Sequence, residues 1–178
     1  MLVKGIIDTD IVNYKKISMT IEFPYCSFKC DKECGRTVCQ NSPLVSEPNI
    51  DVSIDDVCER YLNNGMTEAI ILQGLEPFDS QNDLINLICT LRNQYRCNDD
   101  VVIYTGYTKE EVEDFTLNDI YPSLGDTFSG NIKVIRLLKT LGNIIIKYGR
   151  YIPDVEPHYD PVLGVNLASD NQYAEKIS

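Results

Sequence analysis

Residues 68–106 read EAIILQGLEPFDSQNDLINLICTLRNQYRCNDDVVIYTG, and the change of period inside this stretch decides the fold class. EAIILQG (68–74) is a short β-branched run closed by glycine, the pattern of a buried parallel strand. SQNDLINLICTLRNQY (80–95) follows, with Leu84, Leu87, Ile88 and Leu91 at helical spacing. DVVIYTG (100–106) is a second buried run. Strand–helix alternation of this kind gives a parallel α/β sheet with right-handed crossovers.

The alternation continues on both sides. SMTIEF (18–23) alternates apolar and polar residues and reads as a strand. VSIDDVCERYLNNG (52–65) reads as a helix, with Ser53 as N-cap, Asp56 in capping-box position and Gly65 as the stop. Val57, Tyr61 and Leu62 share one face. TKEEVEDF (108–115) opens a helix with a Thr108/Glu111 capping box. Residues 116–130 read as loop, NIKVIRLLKTLG (131–142) as a fourth helix and NIIIKYG (143–149) as a fourth strand. From 150 on, Pro153, Pro157 and Pro161 predict an irregular tail. The strand count is too low for a closed eight-stranded barrel of about 250 residues. The expected architecture is therefore a single domain over 1–178, α/β, with an open or partial parallel β/α barrel.

Composition narrows the function. The formal net charge of −11 disfavours nucleic acid as the main partner, because an acidic surface gains nothing from counterion release. No apolar run is long enough to span a bilayer, and the start, MLVKGIIDTDIVNYKK, does not read as a signal peptide. The expected compartment is the cytoplasm, where thiols stay reduced. Seven cysteines, crowded in one stretch, then point to metal or redox chemistry before disulfides.

That stretch is PYCSFKCDKECGRTVCQN (24–41), with Cys26, Cys30, Cys34 and Cys39. It follows the first predicted strand. QGLEP (73–77), YTGYT (104–108) and YGRY (148–151) follow the other three. Ligands in parallel α/β folds bind outside the carboxyl ends of the strands, so these segments are expected on one rim. The spacing C-x3-C-x3-C-x4-C on one loop does not match the paired knuckles of most structural zinc sites. It suits an iron–sulfur cluster as well. Three ligands would leave one iron open, and four would close the site; spacing alone does not choose between them.

The neighbouring residues carry a resemblance. Cys26-Ser-Phe-Lys-Cys30 is similar to the first half of the C-x3-C-x2-C signature of the radical S-adenosylmethionine (SAM) enzymes, with Phe28 in the gap. VCQNSPL resembles the third-ligand region of the activating proteins of anaerobic ribonucleotide reductase, where an asparagine follows two residues on, here Asn41. This matches Cys39 to the third ligand and makes DKECGRTV, with Cys34, an insertion. GLEPFD (74–79) resembles the family's GGEP stretch, with Leu75 at the second glycine. YTGYTKEEVE resembles its third-strand region, YGRY its DGRF motif with Tyr148 for the aspartate, and LASDNQ (167–172) a C-terminal SSNQ. The glycine-rich segment before the first strand is replaced by VNYKKIS (12–18).

The resemblance implies a partial barrel of the radical SAM type with a [4Fe-4S] cluster held by Cys26, Cys30 and Cys39, and only secondarily by Cys34. It implies SAM bound near Phe28, Gly74, Glu76, Pro77, Thr105, Gly106 and Tyr107, with Glu76 and strand-end carbonyls accepting from the SAM ammonium. The implied activity is reductive cleavage of SAM to a 5′-deoxyadenosyl radical. The implied partners are the large subunit of anaerobic ribonucleotide reductase, on which a glycyl radical is installed, and a low-potential donor such as flavodoxin or ferredoxin. The alternatives are a radical SAM enzyme for another protein or small molecule, and a non-enzymatic four-cysteine cluster or zinc module. Cys58, Cys89 and Cys97 read as core thiols. His158 reads as a loop residue, Arg150 as an ion-pair partner on the rim, and Asn171 and Gln172 as caps of the tail.

Overall fold

A computed structural model of the chain describes residues 1–117 and 132–178. The first half contains β1 (Leu2–Val3), β2 (Gly5–Asp10), β3 (Ser18–Phe23), α1 (Lys29–Cys34), β4 (Ile50–Asp51), α2 (Ile54–Asn63), β5 (Ala69–Gly74) and α3 (Gln81–Cys89). The second half contains β6 (Asp100–Tyr104), α4 (Lys109–Asp114), β7 (Thr116–Leu117), β8 (Ile132–Lys133), α5 (Val134–Leu141), β9 (Ile144–Tyr148), β10 (His158–Asp160), β11 (Val165–Leu167) and β12 (Tyr173–Lys176). The main sheet has six strands in the order β12-β9-β6-β5-β3-β2. Its four central strands are parallel and follow chain order from β3 to β9. β2 and β12 close the two sides antiparallel.

Alternation along each central strand sorts the side chains. Met19, Ile21, Phe23, Ile70, Leu72, Val101, Ile103, Ile144 and Ile146 join the larger core with α2, α3 and α5. Each fully buried Leu or Ile here contributes roughly 1.5–3 kcal/mol. On the opposite face Ala69, Ile71, Val102 and Ile145 meet Tyr14, Leu163, Leu167 and Ala174. That face is covered by the chain before β3 and by the tail. Ser53 caps α2 by accepting from the Asp56 N–H, and the Thr108/Glu111 capping box is formed in full.

Three expectations change. The tail is not irregular: β10 and β11 form an antiparallel ribbon and β12 closes the sheet beside β9. These strands are three or four residues long and are held by backbone pairing, which leaves no periodic signature. Residues 5–10 likewise form an edge strand. The helix over 52–65 stops at Asn63, before Gly65, and that over 131–142 begins only at Val134. The loop expected over 116–130 lies, from 118 on, outside the described residues. No helix among the described residues is long and apolar enough to cross a membrane.

Candidate metal centre

The loops leaving β3, β5, β6 and β9 surround a cavity of 490 Å³. Cys26, Cys30 and Cys39 line it, with Gly74, Glu76, Thr105, Gly106, Tyr107, Gly149 and Arg150. The structure thus brings together the four segments expected on one rim. Cys34 stands apart, exposed at the end of α1 and off the lining. Phe28 and Pro77 are also off the lining. Phe28 instead precedes α1 in the left-handed region, at φ 52°, and Pro77 opens the turn after Glu76.

Asp31 explains how a long insertion returns Cys39 to the other thiols. One of its carboxylate oxygens accepts from the N–H groups of Val38 (2.8 Å) and Cys39 (2.9 Å). α1 runs out, Gly35 turns it in the left-handed region, and the Asp31 tie folds the strand of insertion back. Cys39 then lines the same cavity as Cys26 and Cys30. Two residues later, the Asn41 side-chain amide donates to the Gly74 carbonyl at 2.6 Å. Gly74 has φ +92°, and a Cβ there would meet the Phe23 nitrogen at 2.7 Å. Only glycine lets the second loop approach the first this closely.

Burial pushes the Cys26 thiol up to about 12 and the Cys30 thiol up to about 11. A metal group must therefore displace protons to bind here, which couples loading to pH. A family model of the 4Fe-4S single cluster domain matches residues 17–134. The chain belongs to this family. Neither the curated proteins nor the solved structures yield a match. A 4Fe-4S single cluster domain needs cysteine thiolates facing one volume, and the three cavity thiols meet that demand. Among the described residues no group of three His, Cys, Asp or Glu side chains is arranged to hold a metal ion. A zinc ion would need its sulfurs about 2.3 Å from a single point, whereas a cluster offers a separate iron to each thiolate.

Several predicted cofactor contacts of this 4Fe-4S domain are engaged with the protein itself. Glu76 is buried, and one carboxylate oxygen accepts from the Thr105 hydroxyl (2.8 Å) and the Phe78 N–H (3.1 Å). The other accepts from the Gly106 N–H at 2.8 Å. With about four lone-pair sites on a carboxylate, little acceptor capacity is left. Burial outweighs these bonds and raises the Glu76 carboxyl to about 7. Glu76 therefore ties the β5 loop to the β6 loop. The Tyr107 hydroxyl bonds to Asp79 and Ser27, and its N–H donates to the Thr105 hydroxyl.

The cavity lining also contains Lys147, which lies outside the predicted rim segments, and Gln73 and Tyr104 from within them. Gln73, Tyr104 and Lys147 are cross-strand neighbours in register on β5, β6 and β9 and line the cavity. Lys147 is 7% exposed, and its ammonium donates to the Gly149 carbonyl at 2.9 Å. Burial pulls it down to about 8, against the pull of Glu76. The available signal was a polar residue near the end of each apolar strand. The tail motif is bound in as well: the Gln172 amide donates to the Gly149 carbonyl and its oxygen accepts from the N–H groups of Ala168 and Ser169. Asn171 donates to the Arg150 carbonyl. His158 lies on β10, and Cys58, Cys89 and Cys97 are buried in the core.

Proposed function

We propose that this 4Fe-4S protein is a radical SAM enzyme on a partial parallel β/α barrel. The observation that carries the reading is the cavity lined by Cys26, Cys30 and Cys39 but not by Cys34. Three protein thiolates on a four-iron cluster leave one iron for an exogenous ligand. The whole cavity, at 490 Å³, falls in the range of small-ligand sites. Parallel strands in chain order, with helices on one face, support the barrel reading.

When bound, a reduced cluster of this kind supplies one electron to the SAM sulfonium, which releases a 5′-deoxyadenosyl radical. The chain's own residues bind and orient. The Lys147 ammonium and the Gln73 amide face the cavity as partners for a carboxylate. Strand-end carbonyls, with Glu76 behind them, suit an ammonium. Thr105, Gly106 and Tyr107 shape the wall between the two and exclude water, which strengthens polar contacts inside.

The resemblance of YTGYTKEEVE and VCQNSPL to the activating proteins favours a glycyl radical on anaerobic ribonucleotide reductase as the product, with flavodoxin or ferredoxin as donor. The test is anaerobic reconstitution with iron and sulfide, then reductant and SAM. 5′-Deoxyadenosine is expected, and its absence from a fully loaded protein overturns the radical SAM reading in favour of a cluster module. A glycyl radical signal on the reductase large subunit is expected next. SAM cleavage without that signal would move the substrate to another protein or a small molecule.

A further inference from the structure

The segment between the first two cavity thiols is held by charge. Lys29, between Cys26 and Cys30, donates to Glu111 Oε1 at 3.0 Å. The Arg150 guanidinium, from the loop after β9, donates to the same oxygen at 2.7 Å. Arg150 also pairs with Glu33 of α1, Nε to Oε2, at 3.3 Å. Both cations lie over the Tyr107 ring, Lys29 at 4.6 Å and Arg150 at 5.9 Å from its centroid. Glu111 Oε2 accepts from the Thr108 N–H within the capping box of α4. One carboxylate therefore fastens three rim loops to each other.

This arrangement exceeds what a helix cap requires. A capping box needs only Thr108 and the returning Glu111 oxygen. The other oxygen gathers two cations from separate loops against an aromatic face, where both hydrogen bonding and the ring quadrupole favour them. The Arg150 side chain is only 10% exposed and that of Glu111 31%, so solvent screens the contact less than a surface pair. Removing Glu111 would leave the Cys26–Cys30 segment held by the Ser27 bonds to Asp79 and Tyr107, strip Lys29 of its counter-charge and leave Arg150 with Glu33 alone.

We infer that Glu111 is a positioning residue for the iron–sulfur centre: through Lys29 and Arg150 it holds the Cys26–Cys30 segment in its ligating arrangement and sets the charge around the cluster. This rests on membership of the 4Fe-4S family and not on the SAM reading, and its test uses no SAM. Glu111→Ala and Thr108→Ala are reconstituted anaerobically beside the unaltered protein. Iron release to a chelator, the reduction potential of the cluster and the melting temperature of the cluster-free protein are then compared. Both variants damage the cap and are expected to lower the melting temperature, Glu111→Ala the more because it also loses the Lys29 and Arg150 bonds.

Only Glu111→Ala is expected to release iron faster, by roughly tenfold, equivalent to about 1.4 kcal/mol. Only it is expected to shift the potential to a more positive value, because a negative charge is gone, Lys29 is bared and Arg150 keeps only Glu33. Glu111→Gln, which keeps the shape and loses the charge, is expected to reproduce the shift in potential. Equal effects in Thr108→Ala would assign everything to the helix cap and overturn the inference. Unaltered release or an unaltered potential in Glu111→Ala would overturn it as well.

Discussion

The two ends of the parallel sheet both bury charge, and they treat it in opposite ways. At the amino end, Arg92 donates to the carbonyls of Cys97, Asp99, Leu141 and Gly142 at 2.7–3.1 Å. Asp100, the first residue of β6, accepts from Tyr14 and Lys16. Arg92 and Asp100 are both buried and have several partners each. At the carboxyl end, Lys147 has one carbonyl partner and, with Gln73 and the thiols of Cys26, Cys30 and Cys39, lines an open cavity. A buried polar group with full partnership holds a fold together; one with bonding capacity left over is available to a ligand. The contrast marks the carboxyl end as the working end without reference to any motif.

The comparison can be broken most sharply at the thiols. Replacing Cys26, Cys30 or Cys39 with Ala should abolish stable cluster loading, whereas Cys34→Ala should keep the full iron and sulfide content after reconstitution. A Cys34→Ala protein that holds no iron would turn the open site into a four-thiolate one. At the other end, Arg92→Ala should lower unfolding free energy by about 3 kcal/mol, since it strands buried carbonyls. Denaturant melts measure this, and the folded fraction should still load iron. Loss of loading without loss of stability would mean that the two ends are not separable.

Lys147→Met should act with the opposite sign. The ammonium is held down to about 8 from 10.5 by burial, so its protonated form opposes folding. The substitution should stabilise the cluster-free protein by about 3 kcal/mol at neutral pH. The sign follows from linkage: the penalty is complete below the folded value and fades as pH rises from about 8 to 10.5. The same variant should bind SAM more weakly in calorimetry. Destabilisation instead would show that the ammonium is as well partnered as Arg92.

Glu76 sharpens the comparison at similar amplitude. Its carboxyl is raised from 4.5 to about 7, so between those values the folded state holds more protons than the unfolded one. Its contribution is fully present below pH 4.5 and is lost as pH rises through about 7. Stability of the cluster-free protein should fall by about 3 kcal/mol across that window, and the slope should be absent from Glu76→Gln. An unchanged slope in that variant would mean that the Thr105, Gly106 and Phe78 bonds keep Glu76 ionised.

Local sequence was enough for the four central strands, for the caps at Ser53 and Thr108, and for the rim. It was enough because a buried run, a cap and a glycine stop each act within a few residues. It did not reveal β2, β10, β11 and β12, whose pairing is supplied by distant backbone. It passed over Lys147 because a polar residue in an apolar strand reads as an ordinary interruption until its neighbours in register are known. Arg150 was expected as an ion-pair partner, but Glu33 and Glu111 as its partners were not legible.

The cysteines divide in the same way. The amino-acid order by itself determined that thiols would gather at the carboxyl end of β3, and that Glu76 and the YTGYT turn would stand beside them, because strand ends in a parallel sheet all open on one side. Spacing left the choice between Cys34 and Cys39 open and the resemblance named Cys39, but what turns the thiols toward the cavity is visible only in three dimensions. Asp31, Asn41 and Gly74 fold the insertion so that Cys39 returns and Cys34 is left outside. The physical reason is that spacing limits how far two thiols can be apart, while side chain–backbone bonds across the rim determine where they point.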